Sequence, residues 1–151
     1  MEIFTKNLIK VNYYALDKKS CLREIAEAMH KYGSVTDIKA FLDKIWEREK
    51  IMSTGIGHRI AIPHARSDAV ESLQIAVYLL DNEIEFNSID NKAVKIIFMI
   101  AVPKSMEEEY KKILSRISNF LRKEENRKKL LNCKNYECVY SNLKGLNDEI
   151  K

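Results

Sequence analysis

The reading of this chain turns on Ser53-Thr54-Gly55-Ile56-Gly57-His58-Arg59-Ile60-Ala61-Ile62-Pro63-His64-Ala65-Arg66. The stretch holds two of the chain's four glycines, one of its two prolines and two of its three histidines. Gly55 and Gly57 let the backbone take positive φ, or pass close to another group, where a Cβ would interfere. Ile60-Ala61-Ile62 is a short apolar run of the kind that forms a buried strand. Pro63 has no N–H for a sheet ladder and biases Ile62 toward extended backbone, so it is expected to end the run. His64 then falls where a buried strand gives way to a loop, the place where open α/β sheets carry their sites. Spacing alone reads such a histidine first as a packed, hydrogen-bonded residue.

Outward from this stretch, helical and strand periodicities alternate. Toward the N-terminus, residues 8–12 suit a short strand. Asp17 or Ser20 suits the cap of a helix to about Tyr32, with Leu22, Ile25, Ala26 and Met29 on one stripe. Gly33 fits the position just past its end. His30 lies beside the stripe, is expected to be exposed and receives no role. Ser34 or Thr36 suits the start of a second helix to about Lys50, with Ile38, Phe41, Leu42 and Ile45 inward and Trp46 at the edge. Arg48 and Glu49 fall in its last turn.

Toward the C-terminus, residues 73–80 read as a strand, Asp81-Asn82 as a turn and residues 83–86 as a short edge strand. Residues 94–102, closed by Pro103, form the most hydrophobic run and read as a central strand. Ser105 with Glu108 is a capping-box pattern. The helix behind it carries Tyr110, Ile113, Leu114, Ile117, Phe120 and Leu121 on one stripe. Residues 125–131 add a helical turn or two, and a last short helix is expected from Asn135 to about Leu143. This alternation predicts one α/β layered domain over residues 1–151.

A chain of 151 residues with 46% hydrophobic and 32% charged residues can bury a sizeable core. No apolar run approaches the ~20 residues that span a membrane. The first residues lack a signal peptide's basic region followed by a long apolar core, so the cytoplasm is the expected location. Cys21, Cys133 and Cys138 are odd in number and are expected to be reduced, mostly buried thiols. Neither they nor the three histidines, which stand beside no dense carboxylate cluster, suggest a metal site. The net charge is +4. Lys111, Lys112, Arg116, Arg122, Lys123, Arg127, Lys128 and Lys129 would be the patch for a nucleic acid. Glu107, Glu108, Glu109, Glu124 and Glu125 interrupt them, so a solvated helix surface is expected and no nucleic-acid partner.

The central stretch resembles the phosphorylation-site signature of enzyme IIA domains of the fructose/mannitol class, from the bacterial phosphoenolpyruvate-dependent sugar phosphotransferase system. That class includes the nitrogen-regulatory enzyme IIA proteins. The similar pattern is Ser-Thr-Gly-Ile-Gly, two variable positions, then Ile-Ala-Ile-Pro-His, met here at ten of twelve positions. The resemblance extends over nearly the whole chain and implies a mixed sheet with helices on both faces. It also implies a phosphoryl carrier without a cofactor. His64 would accept the group from the histidine-containing phosphocarrier protein and pass it to a cysteine of an enzyme IIB for sugar uptake. Any association with the membrane enzyme IIC would run through enzyme IIB, without membrane insertion of this chain. The alternative is a nitrogen-regulatory role, in which phosphorylation of His64 switches contacts with target proteins.

Histidine suits this chemistry, because its neutral ring attacks through one nitrogen while the other is held by a hydrogen bond. The transferring group spreads charge over its equatorial oxygens, so fixed donors help. Arg48 resembles the arginine that the family places near its phosphohistidine, and a guanidinium can grip phosphate with two parallel bonds. Gly55 and Gly57 are candidates for supplying backbone N–H groups. Thr54 is a candidate either for a phosphate contact or for shaping the loop. Two departures from the family pattern stand out. Tyr110 occupies the position of an assisting second histidine, and tyrosine donates one hydrogen bond but cannot become cationic. His58-Arg59 fills the two variable positions, and His58 is a candidate for the missing imidazole.

Overall fold

A computed structural model of the chain describes residues 2–150. After a 3-10 turn at Lys6–Leu8 the elements run β1 Ile9–Tyr13, α1 Lys18–Tyr32, α2 Ile38–Ile51, β2 Gly55–Gly57, β3 Ile60–Ala61, β4 His64–Ser67, β5 Gln74–Ile84, β6 Val94–Pro103, α3 Glu107–Arg122, α4 Glu124–Leu131 and α5 Tyr136–Ile150. The six strands form one sheet in the order β1-β5-β6-β3-β2, with β4 pairing farther along β6. β5 and β6 are antiparallel, while β1 lies parallel to β5, and β3 and β4 parallel to β6. The sheet is mixed, as expected.

Period-two alternation on the two long strands splits the core. Ala76, Tyr78 and Leu80 of β5 pack with Leu22, Ile25, Phe41 and Ile45 of α1 and α2. Ile75, Val77 and Leu79 pack on the other face with Ile113, Ile117, Val139 and Leu143 of α3 and α5. Helices therefore cover both faces, each buried Leu or Ile contributing about 1.5–3 kcal/mol of transfer free energy. No helix among the described residues is long and apolar enough to cross a membrane.

Local chemistry moves several expected boundaries. Asp17 caps α1, accepting from the Ser20 N–H at 2.8 Å. Asp37 caps α2, in place of Ser34 or Thr36, whose hydroxyls instead donate to the carbonyls of Ser72 and Ala69. Gly33 is extended (φ −135°) rather than left-handed. Glycine is needed there because a Cβ would sit 2.2 Å from Gln74 Oε1, the acceptor of the Ser34 N–H. Asp81-Asn82 makes no turn. β5 runs through it to Ile84, and a register shift against β6 between Leu79 and Ile84 absorbs the irregularity. The Asn82 amide bonds both the N–H and the carbonyl of Ala15, which holds the segment extended. The Ser105–Glu108 box does not form, and α3 begins after Met106 without a side-chain cap. α5 continues to Ile150.

The cysteine expectation is also corrected. Cys133 and Cys138 form a disulfide with Cα atoms 5.4 Å apart, and Cys21 alone is free and buried. The turn between α4 and α5 folds the pair together, with Asn135 accepting from the Cys138 N–H. An odd cysteine count rules out complete pairing and says nothing against one bridge. The protein unfolded without reductant is expected to show one reactive thiol per chain, and three after reduction. Three from the outset would remove the bridge.

Candidate functional site

The edge of β6 positions His64. Ile60 and Ala61 of β3 pair with Ile96 and Ile97, and His64 to Ser67 of β4 pair with Ile100 to Pro103 in the same parallel register. The expected loop after Pro63 is therefore absent. Proline removes one donor, but its carbonyl still accepts from the Ile100 N–H at 2.9 Å, and the ladder resumes at His64. Alternation along β4 buries Ala65 and Ser67 and turns His64 and Arg66 the other way.

The ring itself is held. Nδ1 lies 2.7 Å from the Ile62 carbonyl oxygen. A carbonyl only accepts, so Nδ1 carries the proton and the lone pair of the neutral ring is at Nε2. Burial pushes the His64 pKa below its ordinary value, and the Arg48 charge acts in the same direction. The bond to Ile62 and the charge of Glu49 oppose them without reversing the shift. His64 is therefore neutral at pH 7. The Tyr110 ring meets it edge-on, with centroids 5.7 Å apart. Burial pushes the Tyr110 hydroxyl up to about 12, against the pull of Arg48 and Arg66, so it is a donor.

Two hollows open at His64, of about 310 and 270 Å³. Arg48 and His64 line both. The larger also takes Thr54, Gly55, Ile62 and Leu114, and the smaller Lys44, Arg66 and Tyr110. Arg48, in the last turn of α2, donates from Nη1 to the Met52 carbonyl at 2.5 Å. Strand, helix end and α3 thus bring His64, Arg48 and Tyr110 to one place.

The loop before β3 is built on Glu49. Its carboxylate accepts the Thr54 N–H at 3.2 and 3.3 Å, binds the Thr54 hydroxyl, and pairs with Lys18 Nζ at 2.9 Å. The Glu49 side chain is 1% exposed, and Lys18 also reaches the Phe86 carbonyl and ring. Thr54 accordingly shapes the loop. The Gly55 N–H is taken by Ser53 Oγ at 3.0 Å, so the Thr54 and Gly55 amides are used inside the loop instead of facing a ligand. Gly55 is required by close approach, since a Cβ would lie 3.0 Å from Ser88 Cα.

Gly57, His58 and Arg59 all have positive φ (94°, 55° and 66°), as the tight β2–β3 hairpin demands. In that turn His58 lines a different hollow, with Asp90 and Lys92, and Arg59 pairs with Glu83 at 2.6 Å. His58 lines neither hollow at His64. The structure does not bring this candidate imidazole to the site.

The sequence places Glu49 in the last turn of α2 but gives neither it nor Lys18 a role. Phe41, Ile45 and Glu49 fall at i, i+4 and i+8 on one buried stripe. A carboxylate on that stripe is the signal that a cation must meet it, but nothing local identifies Lys18. Removing one member of a buried pair leaves the other uncompensated. Glu49→Gln is expected to cost about 3 kcal/mol in urea unfolding, against less than about 1 kcal/mol for Arg48→Gln. Equal losses would deny Glu49 its anchoring role.

The family described as "Phosphoenolpyruvate-dependent sugar phosphotransferase system, EIIA 2" matches residues 2–145. A fructose-specific EIIABC component of Bacillus subtilis is 33% identical over 91% of this chain, which spans 22% of that longer protein. A fructose-specific EIIA component of Haloferax volcanii is 35% identical over 87% of this chain and 86% of its own length. Among solved structures, nitrogen regulatory protein IIA-Ntr of Neisseria meningitidis superposes with a TM-score of 0.84 at 26% identity, covering 93% of this chain and 96% of that one. The mannitol enzyme IIA of Escherichia coli, solved in complex with phosphorylated enzyme IIB, shares the fold at a TM-score of 0.80 and 20% identity, covering 94% and 99%. The chain belongs to the type-2 enzyme IIA family of phosphoenolpyruvate-dependent sugar phosphotransferase systems, whose members are phosphoryl carriers.

Proposed function

We propose that His64 accepts a phosphoryl group from the phosphohistidine of the histidine-containing phosphocarrier protein. It then hands the group to a cysteine of an enzyme IIB during uptake of a sugar of the fructose/mannitol class. The observation that carries this reading is the Nδ1–H···O=C bond to Ile62, which leaves the Nε2 lone pair unused in a ring that lines the same hollows as Arg48. The Nε2 lone pair forms the new N–P bond as the donor's N–P bond breaks, and that electron pair returns to the donor ring. Onward transfer reverses these roles with a thiolate as attacking group. Arg48 is assigned to the phosphoryl oxygens, Tyr110 donates one hydrogen bond, and Thr54, Gly55 and Gly57 frame the loop. Exposed Ile51, Met52, Ile56 and Ile89 surround the two hollows and suit transient docking of partner proteins. The Escherichia coli neighbour solved with enzyme IIB supports that acceptor.

The second reading, a nitrogen-regulatory protein switched by phosphorylation of His64, is favoured by the likeness to IIA-Ntr and by Tyr110 in place of a second histidine. Both readings need the same first step. After incubation with phosphoenolpyruvate, enzyme I and the phosphocarrier protein, intact mass is expected to rise by one acid-labile phosphoryl group, and His64→Ala is expected to show no gain. Because the His64 pKa lies below its ordinary 6.5 and the neutral ring is the attacking form, the uptake rate should fall on acidification with its midpoint below pH 6.5. An unphosphorylated wild type, or a phosphorylated His64→Ala, would refute the carrier reading.

A further inference from the structure

Arg66 stands two residues beyond His64 on β4, and alternation sends both side chains to the same side of the strand. Its Nη1 donates to the Lys104 carbonyl at 2.6 Å, while Nη2 lies 3.9 Å from Glu107 at the start of α3. Arg48 is held alike, with Nη1 on the Met52 carbonyl. Each guanidinium is fixed at one nitrogen by a main-chain acceptor and keeps further N–H groups for another ligand. The Glu107 side chain is 77% exposed and long-range, so it does little to neutralise Arg66. His64, Arg48, Arg66 and Tyr110 line the same hollow of about 270 Å³. The Tyr110 hydroxyl feels both arginine charges and has no hydrogen-bond partner among the described residues.

We propose that Arg66 is a second phosphoryl-binding guanidinium, gripping the group on His64 from β4 while Arg48 grips it from the end of α2 and Tyr110 donates to it. This rests on His64 as the phosphoryl acceptor. As the donor's N–P bond breaks and the bond to Nε2 forms, the negative charge on the equatorial oxygens moves into a hollow flanked by two fixed cations. No proton transfer is required of either arginine. An arginine serves here where a lysine would serve less well, because its planar fork keeps two aligned N–H groups after the Lys104 carbonyl takes one.

The test is rapid-quench transfer from the phosphorylated phosphocarrier protein to wild type, Arg66→Gln, Arg66→Lys and His64→Ala over a range of acceptor concentrations. Arg66→Gln is expected to lower the maximal transfer rate on the order of 10- to 100-fold, with the half-saturating concentration and melting temperature little changed. Arg66→Lys is expected to recover part of the rate, since it keeps the charge and loses the fork. Wild-type transfer by Arg66→Gln, or a loss confined to half-saturation or to melting temperature, overturns the inference alone. Failure of the wild type to take up phosphoryl, or uptake by His64→Ala, overturns the reading of His64 and this inference with it.

Discussion

The site depends on the buried carboxylate of Glu49. It takes the ammonium of Lys18 from α1 and both the N–H and hydroxyl of Thr54 from the loop, so α1, the end of α2 and the loop that follows it meet at one charge. From Thr54 the order passes outward through the backbone. The Thr54 carbonyl accepts the Ile62 N–H at 2.9 Å, and the Ile62 carbonyl accepts Nδ1–H of His64. A line of hydrogen bonds thus runs from an ion pair in the core to the imidazole at the surface. Buried pairs often yield little net stability over apolar replacements, because desolvation offsets their attraction. Here the pair sets position.

In the proposed reaction Arg48 acts differently before and after phosphoryl transfer. In the free protein, burial and Arg48 both disfavour protonation of His64, so the ring is neutral and nucleophilic. A phosphoryl group on His64 would bring negative charge to that positive field in a partly water-excluded hollow, where such interactions are stronger than in water. A group that must leave again cannot be held too tightly. Fixing each arginine to a carbonyl spends part of its hydrogen-bonding capacity on the protein and would moderate its proposed hold on the phosphoryl group.

Much of this was legible in the sequence because it follows from short-range rules. The apolar, strand-forming runs of β5 and β6, the apolar stripes of α1 and α3, and the Asp17 cap each lie within a few residues. So does the signature that marks His64. Less legible were features that depend on partners far along the chain. Asp37 takes the α2 cap because Ser34 and Thr36 are already bonded to the segment before β5. β4 resumes after Pro63 because β6 offers an open edge there, which no local pattern reveals. Gly33 and Gly55 answer to close neighbours, Gln74 and Ser88, more than to a turn. The Cys133–Cys138 bridge depends on how the α4–α5 turn folds.

The most direct test of the account is long-range 1H–15N NMR of 15N-histidine-labelled protein, free and phosphorylated, with 31P detection of the N–P bond. The account predicts that His64 is the Nδ1–H tautomer in the free protein and carries phosphorus on Nε2 afterwards. An Nε2–H tautomer, or phosphorus on Nδ1, would contradict it, because the ring would then not be aimed by Ile62.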